Sequence, residues 1–286
     1  MSIAPADLLI EPAELAARVD SAQPNLAVID CRHDLARPQW GAQAYASSHV
    51  PGALFAHLDQ DLSGPVTPAS GRHPLPSVER LEAALGRWGI DRQVEVVAYD
   101  QDNSAVAARL WWLLRFLGHP RAAVMNGGFA AWRAAGLPVS GEPAVRAPRR
   151  FRAAPELAAV VSAAEVASGL ERGDIVLVDA RSAERFAGRN ETLDPVGGHV
   201  PGARNHPFTR NLDAHGRFLD PRALAVGWHA TLAGAPASAV VAMCGSGVTA
   251  CHNLLALELA GLPGARLYAG SWSEWIRDPA RPVARD

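Results

Sequence analysis

Residues 174–181 read DIVLVDAR and residues 238–243 read SAVVAM. Both are short, nearly continuous apolar runs rich in β-branched residues, the pattern of strands covered on both faces. Between and after them the apolar positions change to helical spacing. SAAEVASGLERG (162–173), PRALAVGWHATLAG (221–234) and VTACHNLLALELAG (248–261) predict helices, the first opened by Ser162 as N-cap and the last ending at Gly261. ARLYAG (265–270) predicts a third strand. Strands alternating with helices predict an α/β fold with a parallel sheet and helices on both faces. Ligands on such sheets bind beyond the carboxyl ends of the strands, which is where Cys244 follows SAVVAM.

The pattern occurs twice. VIDCR (28–32) matches LVDAR (177–181), and SSHVPGALF (47–55) matches GGHVPGARN (197–205). EVVAYDQDN (95–103) matches AVVAMCGSG (239–247), and GGFAAW (127–132) matches GSWSEW (270–275). The offsets Asp30 to Asp179, His49 to His199, Asp100 to Cys244 and Gly127 to Gly270 are 149, 150, 144 and 143 residues. Four blocks in one order at nearly one offset indicate an internal duplication. The proline- and arginine-rich stretch PVSGEPAVRAPRRFRAAP (138–155) has no sustained apolar period and predicts a linker running over the surface. Domains are therefore expected at 1–138 and 159–286, with a linker at 139–158. His49 and His199 recur in both halves and are expected to fix a turn.

Composition narrows the chemistry. A chain of 286 residues with 49% hydrophobic residues, 20% charged residues and a net charge of −2 is expected to be globular, with no electrostatic reason to bind nucleic acid or an anionic membrane. No apolar run approaches the roughly 20 residues of a membrane span, and MSIAPADLLIEP lacks a secretory pattern, so a cytoplasmic location is expected. All 27 basic residues are arginine, which excludes Schiff-base chemistry and a P-loop lysine. Cys31, Cys244 and Cys251 are too few and too irregularly spaced for a disulfide framework or a zinc site, and no metal is expected.

Of these cysteines, Cys244 has a distinctive setting. In CGSGVTAC (244–251), Gly245 and Gly247 allow successive N–H groups to converge at the start of a helix, an arrangement that binds anions and favours thiolate over thiol. The equivalent position in the first half is Asp100, so one half is expected to be catalytic and the other supporting. Cys251 is expected to pack in the core.

The paired HVPGA blocks, the strand–CGSGVTA–helix unit and GSWSEW together resemble the tandem-domain rhodanese family of sulfurtransferases, across essentially the whole chain. Within it, CGSGVT is similar to the 3-mercaptopyruvate sulfurtransferase branch, whereas the thiosulfate-using branch carries a cationic loop. The resemblance implies a cofactor-free reaction in which Cys244 takes sulfur from a small-molecule donor, becomes a persulfide and passes the sulfur to cyanide or to a thiol such as thioredoxin or glutathione. It implies that N–H groups of Gly245, Gly247, Val248 and Thr249 hold the persulfide, that Arg185 of SAERFAG binds the donor carboxylate, and that Ser246, His73 of GRHPLP and Asp59 of AHLDQD form a proton relay. Because Asp59 and His73 lie in the first half, the relay would draw on both halves. The chain departs from the branch where a second arginine is usual: NETLDPVGGH has nothing basic between Arg189 and His199.

Other readings are a thiosulfate donor and a persulfide-carrying regulatory or binding module. A cysteine phosphatase would need an arginine six residues after the cysteine, where this chain has Ala250.

Overall fold

Each half of the chain builds one all-parallel sheet on its apolar runs. The computed structural model describes residues 8–21 and 23–286. They divide into two units. The first comprises the chain up to Gly64 with Pro76–Glu156 and Asp213–Phe218; the second comprises Pro65–Leu75, Leu157–Leu212 and Leu219–Asp286.

In the first unit the order is β1 (Leu9–Ile10), α1 (Pro12–Asp20), β2 (Leu26–Asp30), α2 (Trp40–Ser47) and β3 (Leu54–Phe55). Then come α3 (Val78–Arg87), β4 (Glu95–Tyr99), α4 (Ala107–Phe116), β5 (Ala122–Met125) and α5 (Gly128–Ala134). The sheet order is β1-β5-β4-β2-β3. The second unit repeats the plan with α6 (Ala163–Arg172), β6 (Val176–Asp179), α7 (Ala183–Phe186), β7 (Arg204–Asn205) and α8 (Pro221–Leu232). β8 (Val240–Met243), α9 (Val248–Leu259), β9 (Arg266–Leu267) and α10 (Ser271–Trp275) follow, in sheet order β7-β6-β8-β9. The edge strand β1 has only a remnant here, a single parallel bridge from Val160 to Leu267.

Local chemistry explains the boundaries. Ser162 caps α6 through a full capping box with Glu165. α9 ends before Gly261, whose φ of +71° stops a helix at low cost. The core aromatics repeat with the duplication: Phe129 and Trp132 in one unit, Trp272 and Trp275 in the other, all buried. Burial of each is worth about 1.5–3 kcal/mol.

The repeated Asp-x-Arg motif has a structural role. Asp30 and Asp179 end β2 and β6, and each receives the guanidinium of Arg32 or Arg181 at 2.6–3.1 Å. The same arginines donate onward to Ser48 O and Gly198 O, tying the strand ends to the HVPGA turns. His199 stacks on Phe186 and bonds its carbonyl through Nδ1, and His49 does the same with Tyr45.

The proline-rich stretch is held against the first unit: Ser140 pairs with His49, Arg149 bonds Asp91, and Phe151 is buried. The sequence boundary at 138 groups His73 with the first half, whereas in the structure its segment Pro65–Leu75 packs as part of the second unit. Asp213–Phe218 makes the opposite exchange, with Phe218 N–H on Asn126 Oδ1 and an Arg217–Glu11 ion pair. Among the described residues no helix is long and apolar enough to cross a membrane.

Candidate active site

β8 delivers Cys244 to the carboxyl end of the sheet, and α10 then fixes the loop. Trp272 N–H bonds Cys244 O at 3.0 Å, and Ser273 N–H bonds Gly245 O at 2.9 Å. Ser271 Oγ accepts the Cys244 N–H at 3.0 Å and donates to Tyr268 O. Both loop carbonyls are thereby engaged by α10. Gly247 N–H reaches Cys244 Sγ at 3.1 Å as the N-cap of α9. Gly247 has φ +79°, and a Cβ there would lie 2.4 Å from Ala269 O, so only glycine fits. Cys251 Sγ donates to Gly247 O one turn into the helix and is buried, as expected of a core residue.

The first unit holds the same loop, already filled. Phe129 N–H bonds Asp100 O and Ala130 N–H bonds Gln101 O, repeating the clamp. Ser104, with φ +60°, occupies the place of Gly247. Its N–H and those of Val106 and Ala107 all donate to the Asp100 carboxylate, at 2.9, 2.9 and 3.2 Å. Burial pushes that carboxyl up to about 6 while the three N–H groups pull it down, so above that pH the cradle holds an anion. The duplicated loop therefore presents three N–H groups to a carboxylate in one unit and the Gly247 N–H to a cysteine sulfur in the other.

Around Cys244 the second unit gathers most of the sequence-predicted residues. His73 Nδ1 lies 2.7 Å from Ser246 Oγ, and both are buried. Val248 and Thr249 form the first turn of α9. Asp59 lies in the first unit, where its N–H bonds His57 Nδ1 and its carboxylate is 3.9 Å from that nitrogen. His33, His57 and Asp59 are the one group among the described residues whose ligand atoms lie within 4.8 Å of one another. Asp59 is 44% exposed and His57 Nδ1 is already engaged, a poor match to a closed metal site.

Arg185 stands over the loop, with Nη2 and Nη1 3.5 and 3.7 Å from where a Gly245 Cβ would be. Its Nε bonds Glu191 and its Nη2 bonds Asp194. Burial pushes the Glu191 carboxyl up, but Arg185 and the N–H groups of Leu193 and Asp194 outweigh it and hold it below its ordinary range. Burial raises Asp194, with Arg72 and Arg185 opposing. Arg72 is a residue that sequence reasoning missed. Its Nη2 approaches the Gly245 Cβ position at 2.8 Å, and it pairs with the other oxygen of Asp194. The only signal in the sequence is its place beside His73.

Comparison with known proteins accords with this geometry. The rhodanese-like domain model matches residues 11–135 and 162–278. A Pseudomonas aeruginosa protein named "Probable 3-mercaptopyruvate sulfurtransferase" is 49% identical over 279 residues, 96% of this chain and 97% of the relative. The thiosulfate sulfurtransferase of Bos taurus is 34% identical, covering 91% and 88%. The solved structure of the 3-mercaptopyruvate sulfurtransferase from Leishmania major superposes with a TM-score of 0.81 at 34% identity, covering 94% of this chain and 74% of that one. The chain belongs to the rhodanese-like family, as a sulfurtransferase with two such domains.

Proposed function

We propose that the chain moves a sulfane sulfur from 3-mercaptopyruvate to a thiol or cyanide acceptor through a persulfide on Cys244. The observation that carries this reading is the Gly247 N–H on Cys244 Sγ, in a loop whose duplicate holds a carboxylate through the Ser104 N–H at the corresponding place. Such a cradle favours a sulfur anion, first the thiolate and then the terminal persulfide sulfur. N–H groups from Gly245 to Thr249 are assigned to that task.

The step balances without a cofactor. Cys244 thiolate attacks the donor sulfur, an S–S bond forms, and the C–S electron pair leaves on carbon as the enolate of pyruvate. A proton at that carbon completes pyruvate. Ser246, 2.7 Å from His73, is positioned to pass it, with Asp59 assigned as the far end of the relay. Arg185 takes the donor carboxylate through a charge-assisted fork. A thiol of the thioredoxin or glutathione class, or cyanide, then attacks the outer sulfur and frees Cys244. No nucleic acid or membrane takes part.

Thiosulfate is the second reading, favoured by two guanidinium groups beside Gly245 although the loop itself is uncharged. The test compares the two donors with thiocyanate release from cyanide as readout. A higher kcat/KM with 3-mercaptopyruvate supports the proposal, and a preference for thiosulfate overturns the donor assignment. Failure of both donors to turn over would leave a persulfide-carrying module.

A further inference from the structure

A second concavity lies beside the cysteine loop and takes no part in the sulfur chemistry. Ala269, whose backbone packs against Gly247, also lines a cleft of about 380 Å³ formed wholly by the second unit. That volume suits a small-molecule site. Pro74, Leu75, Val160 and Val161 give the cleft an apolar wall, and none of residues 244–249 lines it. The segment 67–75 thus serves two places. Arg72 and His73 bond Ser273 and Ser246 at the cysteine site, while Ser70, Gly71, Pro74 and Leu75 line the cleft.

The cleft carries one charge. Glu274 is the only ionisable residue in its lining. Two of the three hydroxyls there are committed locally: Ser70 Oγ closes a turn with Thr67, and Ser162 Oγ caps α6 with Glu165. Among the described residues no arginine forms an ion pair with the Glu274 carboxylate. Arg281 directs Nη1 to the carbonyls of Glu274 and Trp275 and Nε to Asp278. Burial pushes the Glu274 carboxyl up, against the pull of Arg281 and the Tyr268 hydroxyl, so its anion lacks a full counter-charge. Gly270 keeps room for this group. Its φ of −62° is open to any residue, yet a Cβ there would overlap the Glu274 carboxylate. At the duplicate position Gly127 has φ +80°, and the side chain four residues on is Ala131. Glycine serves the backbone in the first unit and the carboxylate in the second.

We propose that this cleft is a binding site for a small alkylammonium ion, whose N–H groups bond the Glu274 carboxylate and whose chain lies along the wall of Val160, Val161, Pro74 and Leu75. The ammonium supplies the counter-charge that the lining lacks, and the apolar wall selects an organic cation over a hydrated metal ion. Because no residue of the cysteine loop lines the cleft, its occupant is neither donor nor acceptor of sulfur. It is held instead beside the segment that carries His73. The site is independent of which sulfur donor the cysteine uses.

The experiment is a calorimetric titration of the full chain with n-butylammonium chloride, n-butanol and sodium butyrate. The amine is expected to bind with a Kd on the order of 1 mM. Loss of a charge-assisted bond corresponds to roughly tenfold or more, so n-butanol should bind at least about tenfold more weakly and butyrate should not bind. Glu274→Gln should lose the preference for amine over alcohol while keeping sulfur transfer within about twofold of wild type. Ala69→Trp, at an exposed position of the lining, should block the cleft by bulk with Glu274 still in place. Hydrogen-exchange mass spectrometry gives a second readout: n-butylammonium should slow exchange in segments 65–75 and 157–162 of the wild type but not of Glu274→Gln. Equal affinity for n-butylammonium and n-butanol, no binding of either, or an amine preference that survives in Glu274→Gln or Ala69→Trp overturns the proposal.

Discussion

Replacing Gly247 by alanine separates backbone strain from steric conflict. Gly247 sits at φ +79°, and the added Cβ would lie 2.4 Å from Ala269 O and 3.1 Å from Ala269 C and Cα. The left-handed conformation alone costs a non-glycine residue about 1–2 kcal/mol. The contact is with backbone in the segment that leads into α10, so it cannot be relieved by a rotamer change. Overpacking of this kind adds about 1–3 kcal/mol. Gly173→Ala is the matched control, because its φ is +71° and nothing lies within 4 Å of its Cβ position. At about 3 °C per kcal/mol for a unit of this size, scanning calorimetry should show the second unit's transition falling by about 6–15 °C for Gly247→Ala and by about 3–6 °C for Gly173→Ala. Turnover should fall at least about tenfold in Gly247→Ala, since the N–H now 3.1 Å from Cys244 Sγ moves with the backbone, and should be unaffected in Gly173→Ala. Equal melting shifts and equal activities would refute the argument that the loop is clamped between β8 and α10.

Two further outcomes follow from particular side chains. His73→Ala should lower kcat with 3-mercaptopyruvate by about 10²–10⁴-fold, because its enolate needs a proton, and much less with thiosulfate, whose sulfite leaves without one; equal effects on both donors would remove His73 from proton transfer. His206 lies buried against Trp228, and burial pushes it down to about 4. Since the folded value lies below the unfolded one of about 6.5, its contribution is present above pH 6.5 and is lost as pH falls through 4, at up to about 1.4 kcal/mol per pH unit. His206→Gln should flatten that part of the acid unfolding profile, and an unchanged profile contradicts it.

Much of this was legible in the chain because duplication and parallel strands leave strong local signals. The runs at 174–181 and 238–243 form β6 and β8, and Ser162 caps α6. β7 escaped because two residues, Arg204 and Asn205, have no period to read. The location of His73 in the second unit escaped for a different reason: segment exchange is a long-range packing event with no local pattern. Cys244, Ser246 and Arg185 could be found from motif and loop chemistry. Arg72 and Asp194 could not, since their pairing joins segments 122 residues apart with no local pattern to mark it. Asp100 could be read as a residue that replaces the nucleophile, but not as a carboxylate that fills the cradle.

The central claim is that sulfur passes through Cys244 alone. Intact-protein and peptide mass spectrometry after treatment with 3-mercaptopyruvate, with no acceptor present, tests it most directly. The account predicts one added sulfur, about 32 Da, on the peptide containing Cys244 at the end of β8, lost on addition of cyanide with stoichiometric thiocyanate. Cys31→Ser and Cys251→Ser should acquire the same adduct, and Cys244→Ser should acquire none and transfer no sulfur. An adduct on Cys31 or Cys251 in the wild type, or substantial turnover by Cys244→Ser, would contradict it.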